Sequence, residues 1–96
     1  MIALVATVKT LEGKAADFEA VFKRLAARVR ADEPGNLCYQ LCKSRTEAGV
    51  YKVLEMYVDA AALAAHRAAD HFKALGPELG ATMNGRPDIE TLDGVD

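Results

Sequence analysis

Residues 55–72, EMYVDAAALAAHRAADHF, carry a strand ending, a helix start and the chain's only two histidines, His66 and His71. The strand is Val50 to Val58, rich in Val and Tyr. Its alternation places Tyr51, Val53, Glu55 and Tyr57 on one face and Lys52, Leu54, Met56 and Val58 on the other. Asp59 suits a helix N-cap, because its carboxylate can accept the unpaired amide hydrogens of a first turn. The helix it opens spans Ala60 to Ala69 and carries His66. Glu55 thus shares a face with two tyrosines, on the strand that feeds the histidine-bearing helix.

Upstream, Ile2 to Lys9 is apolar at Ile2, Leu4, Ala6 and Val8 and also at Ala3 and Val5, which predicts a strand buried on both faces. From Lys14 to Asp32, Phe18, Val21, Phe22, Leu25 and Val29 recur at helical spacing, with the charged residues mostly off that stripe. Pro34-Gly35-Asn36 ends this helix, and Leu37 to Ser44 alternates as a strand before a hairpin loop at Arg45 to Gly49. Downstream of His71, a stripe of Phe72, Leu75, Leu79 and Met83 predicts further helix. It is interrupted at Gly76-Pro77, where proline removes a backbone donor and predicts a break or kink. Asn84 to Pro87 closes that segment, Asp88 to Leu92 reads as a last strand, and Asp93 to Asp96 as a tail.

Strand, helix, strand, strand, helix, strand is the ferredoxin-like α+β pattern, in which both helices cover one face of a four-stranded antiparallel sheet. The opposite face is left bare. Apolar residues on both sides of the first strand call for a second subunit or a ligand there, and a homodimer with sheets face to face, a dimeric α+β barrel, meets that need.

Ninety-six residues make one domain, 1–96, and a chain this short gains from a subunit partner. A net charge of −2 provides no basic stripe, and the aromatics are too scattered for a base-stacking platform, so nucleic acid is not an expected partner. No positive leader precedes the first apolar run, and no segment approaches the roughly 20 apolar residues of a membrane span. The expectation is a cytoplasmic protein with no membrane partner. Cys38 and Cys42, four apart in a strand, would lie about 13 Å apart and cannot bridge each other. They read as reduced thiols.

Five residues of unbroken helix turn about 500°, which sets His66 and His71 roughly 140° apart. Both cannot then grip one metal, and no third ligand lies nearby in sequence, so no metal is expected. If the helix breaks at Asp70, His71 can face the same cavity as His66. The competing reading of His66 is a packing imidazole bonded to a carbonyl; that of Glu55 is a solvated charge at a sheet edge. His71 reads as a surface or cap residue, and Tyr39 and Tyr57 as core residues with a polar tip. Arg24, Arg28 and Arg30 read as a solvated helix face. There is no phosphate cradle, nucleophile elbow or dinucleotide fingerprint.

The chain resembles the antibiotic biosynthesis monooxygenase family, small dimeric α+β-barrel proteins that include quinol monooxygenases. The resemblance rests on Gly13-Lys14 before the first helix, Glu33-Pro34-Gly35-Asn36-Leu37 followed by Tyr39, Glu55-Met56-Tyr57, Ala62-Leu63 leading to His66, and His71-Phe72. It implies one pocket per subunit between sheet and helices, and oxygen chemistry without flavin, haem or metal on a small quinol-like or polyphenolic substrate. His66 would then move the proton, Glu55 would orient it or the substrate, and Tyr51, Tyr57, His71 and Phe72 would shape the pocket. Haem-degrading relatives carry asparagine, tryptophan and an axial histidine where this chain has Ala6, Tyr57 and Gly76, which disfavours haem. Tyr57 and Gly35-Asn36-Leu37 are also similar to members that isomerise a small phosphorylated carbonyl compound. A non-catalytic dimer that binds a small hydrophobic molecule is the third reading.

Overall fold

The computed structural model describes all of residues 1–96. The first strand, β1, is Ile2–Lys9; α1 is Ala15–Asp32; β2 and β3 are Asn36–Lys43 and Val50–Tyr57; α2 and α3 are Ala60–Ala68 and Asp70–Gly80; β4 is Asp88–Asp93. The strands form one antiparallel sheet in the order β2-β3-β1-β4. Central β1 pairs Leu4 with Glu55 of β3 on one side and with Thr91 of β4 on the other. The ferredoxin-like arrangement expected from the order of elements is what the chain adopts.

The apolar stripe of α1 forms the core against the sheet. Phe18, Phe22, Leu25 and Val29 bury completely or nearly so among Ala6, Val8, Tyr39, Tyr51 and Val53. Phe22 stacks on Tyr39 with ring centroids 5.3 Å apart, and Phe18 meets Tyr51 at 5.0 Å. Strand β3 alternates as read from the sequence: Tyr51, Val53, Glu55 and Tyr57 are buried, while Lys52 and Leu54 are exposed. The sheet face away from the helices has no cover within the chain, and Leu54 and Leu92 are among its exposed apolar residues.

Two chain reversals place the site. Pro34 disfavours helical backbone in the residue before it, and Glu33 duly leaves α1 in an extended conformation (φ −115°, ψ 90°). The second reversal is Ala69, whose φ of −65° and ψ of 142° separate α2 from α3. The break expected at Gly76-Pro77 is absent, and α3 runs through Pro77. Gly76 has no Cβ to meet the proline ring, which removes one of the clashes that end helices before proline. Asp59 caps α2 as predicted, accepting the Ala62 amide at 2.8 Å. Gly35 lets the start of β2 approach α2 closely, since a Cβ there would stand 2.5 Å from that of Ala62. No helix is long and apolar enough to cross a membrane.

Candidate functional site

The buried face of β3 sets Glu55 two residues before Tyr57, so both side chains point beneath the helices, and the Tyr57 hydroxyl donates to Glu55 Oε1 at 2.7 Å. Burial raises the Glu55 pKa above the ordinary carboxylate value, while the Tyr57 hydrogen bond and the nearby His66 act in the opposite sense. The phenols of Tyr57 and Tyr39 are pushed well above their usual range, chiefly by burial and further by the carboxylates around them. Tyr57 acts there as a neutral donor to Glu55.

His66 occupies the buried side of α2, its ring wedged between two carboxylates. Nδ1 lies 3.0 Å from both oxygens of Glu33, and Nε2 lies 4.0 Å from Glu55 Oε1. An ionised carboxylate only accepts hydrogen bonds, so Glu33 holds a proton on Nδ1 and turns the other ring nitrogen, Nε2, toward Glu55. Tyr39, Tyr57 and Phe72 surround the ring at centroid distances of 5.3, 5.4 and 4.9 Å. The carbonyl-bonded packing histidine is thus not what the fold contains. Glu55 is likewise no solvated edge charge, being 8% exposed.

The break at Ala69 brings in His71, whose Nε2 donates to Glu33 Oε2 at 2.5 Å. His71 was expected at the surface or as a cap. Its side chain is only 11% exposed, because the chain reversal turns it back onto Glu33. One carboxylate therefore accepts from both histidines of the protein. The donor atoms of Glu33, His66 and His71 lie within 4.8 Å of one another, a set of two imidazoles and a carboxylate that transition metals use. Each imidazole already has Glu33 as its partner, so the cluster satisfies its own hydrogen bonds.

Between the sheet and α2–α3 lies a cavity of about 350 Å³, predominantly apolar, with Glu55, His66 and Tyr39 among its polar walls. Of the residues singled out from sequence, Glu55, His66 and Phe72 line it. Tyr57 is wholly buried behind Glu55, and His71 stands behind Glu33; neither forms part of the wall. Tyr51 is also elsewhere. Its hydroxyl donates to Glu19 Oε2 at 2.5 Å, beside Lys43 at 3.2 Å from the same oxygen, on a separate hollow. Burial and that bond push the Tyr51 pKa up to about 12, and the same bond lowers Glu19. The tyrosine shares a strand face with Glu55, but four residues along a strand carry it about 13 Å away.

Sequence reasoning missed the role of Glu33 and two arginines of the wall, Arg67 and Arg86. Glu33 had a signal: a carboxylate immediately before proline at a helix end has extended backbone, and its side chain points away from the helix it leaves.

Comparison with known proteins bears on the fold and the family. No match is found among curated proteins. A candidate antibiotic biosynthesis monooxygenase from Caulobacter crescentus is 56% identical, with 99% of this chain and 90% of that one covered and a TM-score of 0.96. A Pseudomonas aeruginosa protein is 27% identical over 99% of this chain and 94% of that one, with a TM-score of 0.87. A Nitrosomonas europaea protein at 18% identity shares the fold, with a TM-score of 0.90 and both chains fully covered. The antibiotic biosynthesis monooxygenase model matches residues 1–76, which include both histidines, Glu33 and Glu55. The chain belongs to the antibiotic biosynthesis monooxygenase family.

Proposed function

We propose that this protein is a cofactor-independent monooxygenase that oxidises a small quinol-like or polyphenolic compound, working as a homodimer joined through the bare sheet face. The observation that carries the reading is His66: its Nδ1 is fixed by Glu33 while its Nε2 faces Glu55 and an apolar cavity. That is the arrangement of an oriented general base.

His66 Nε2 takes the proton of a substrate hydroxyl, and Glu33 stabilises the imidazolium that forms. The electron-rich phenolate gives one electron to molecular oxygen, and the phenoxyl radical and superoxide combine at a ring carbon as a hydroperoxide. Loss of water then leaves a carbonyl on that carbon. One oxygen atom stays on the ring and the other departs as water with two substrate hydrogens; the substrate is the sole reductant. Apolar walls serve this sequence by excluding bulk water from the intermediates.

Oxygen uptake by metal-free protein over a panel of hydroquinones tests the proposal. The wild type consumes one oxygen molecule per product, and His66→Ala lowers turnover about 10²- to 10⁴-fold. Unchanged turnover in His66→Ala refutes the assigned base. Turnover of a phosphorylated carbonyl compound without oxygen uptake assigns the site to isomerisation instead.

A further inference from the structure

We propose that the natural ligand is an aromatic anion whose acidic group, a carboxylate, sulfate or phosphate ester, is held by Arg67 and Arg86 while its ring fills the apolar cavity. This deepens the function proposed above and rests on it for orientation: with the anion at the arginines, the reacting hydroxyl points to His66 and Glu55.

Five of the six arginines of this chain fall into two groups. Arg24, Arg28 and Arg30 on α1 each have a partner within the fold: Glu78 at 2.9 Å, Asp32 at 2.7 Å and the Tyr39 carbonyl at 2.6 Å. Arg67 and Arg86 line the cavity, and neither has a carboxylate within 4.0 Å. Arg45, in the β2–β3 hairpin, lines no part of it. The two cavity arginines come from different elements. Arg67 follows His66 on α2, and Arg86 lies in the turn between α3 and β4. Both are solvent-exposed, whereas Glu55 and His66 are buried, so the cavity runs from a cationic rim to a proton-transfer site within.

The only acidic residue on the wall is Glu55. Arg67 and Glu55 line the same cavity, and the positive charge of Arg67 opposes the raised pKa of that carboxyl. An apolar cavity holds a neutral ring without help from arginine. Two unpaired guanidiniums, each with a planar fork of donors, add what a planar or tetrahedral oxyanion needs.

Two fluorescent probes with a common aromatic frame test the idea on the full chain. They are 1-anilinonaphthalene-8-sulfonate and its uncharged counterpart N-phenyl-1-naphthylamine. The sulfonate is expected to bind about tenfold more tightly, and the double variant Arg67→Gln, Arg86→Gln to lose that advantage while holding the neutral probe within twofold. Arg45→Gln, which removes the same charge elsewhere, leaves both affinities unchanged, and circular dichroism checks the fold of each variant. Displacement of the sulfonate by benzoate or by phenyl phosphate, in preference to phenol, supports the proposal and identifies the anion. Failure of the sulfonate to bind, equal weakening of both probes in the double variant, or displacement by phenol as readily as by either anion overturns it. Binding is read without turnover, so a negative oxygen assay beside a positive probe result removes the monooxygenase reading alone.

Discussion

The two halves of the helical layer are built to different ends. Helix α1 buries Phe18, Val21, Phe22, Leu25, Ala26 and Val29, whereas α3 is of similar amphipathic design and buries no residue completely. Phenylalanine and branched residues on α1 fill the space above the sheet. Gly76 and Gly80 on the cavity side of α3 carry no side chains to fill it, and the opening becomes the cavity. The packed core is concentrated on one side and the cavity on the other. A small domain can spare a cavity because its packing is not shared evenly.

Substitutions on the α1 side are expected to register in stability first. Phe22→Ala removes the ring stacked on Tyr39 and lowers the unfolding free energy by about 3–5 kcal/mol, measured by urea titration. Leu79→Ala, partly buried on α3, costs less than about 2 kcal/mol. Equal costs at the two positions break the comparison.

Glu33 belongs to both halves, since it ends α1 and holds the histidines of α2 and α3. Glu33→Ala leaves two imidazole N–H groups without their acceptor and costs about 1–3 kcal/mol. Glu33→Gln keeps an acceptor and recovers much of that stability. Turnover still falls, about 10- to 100-fold, because the charge that supports the imidazolium is gone. Full turnover in Glu33→Gln confines Glu33 to a structural role.

Glu55 gives the smallest and most specific signal. Burial raises its pKa, so its contribution to stability is complete below the unfolded carboxyl value of 4.5 and is lost as pH rises through the higher folded value. Glutamine does not titrate. The melting temperature of Glu55→Gln relative to wild type should therefore climb as pH increases above 4.5 and then level off. A constant difference from pH 4 to 8 contradicts the burial of an ionisable carboxyl at this position.

The fold was legible because its signals are periodic. The β3 alternation and the α1 stripe repeat over enough residues to define their faces, and the order of elements then specifies the sheet. The site was legible in part. Glu55 and His66 could be paired because a strand face and its following helix are covalently linked. Glu33, by contrast, meets the histidines across 33 and 38 residues of chain, and the short-range arithmetic that separates His66 from His71 assumes a helix that Ala69 breaks. Tyr51 shows the same limit from the other direction: a shared face is not a shared cavity once a strand extends past it.

The ends of α3 carry a further consequence. At one end His71 is tied to Glu33; beyond the other, the Leu11 amide donates to the Thr82 carbonyl at 2.9 Å and the Asn84 amide to the Lys9 carbonyl at 2.8 Å. Tied at both ends, α3 is expected to hold its place when a small molecule enters, with individual side chains turning to admit it. Amide hydrogens along α3 should then exchange with deuterium at nearly the same rate whether the chamber is empty or filled.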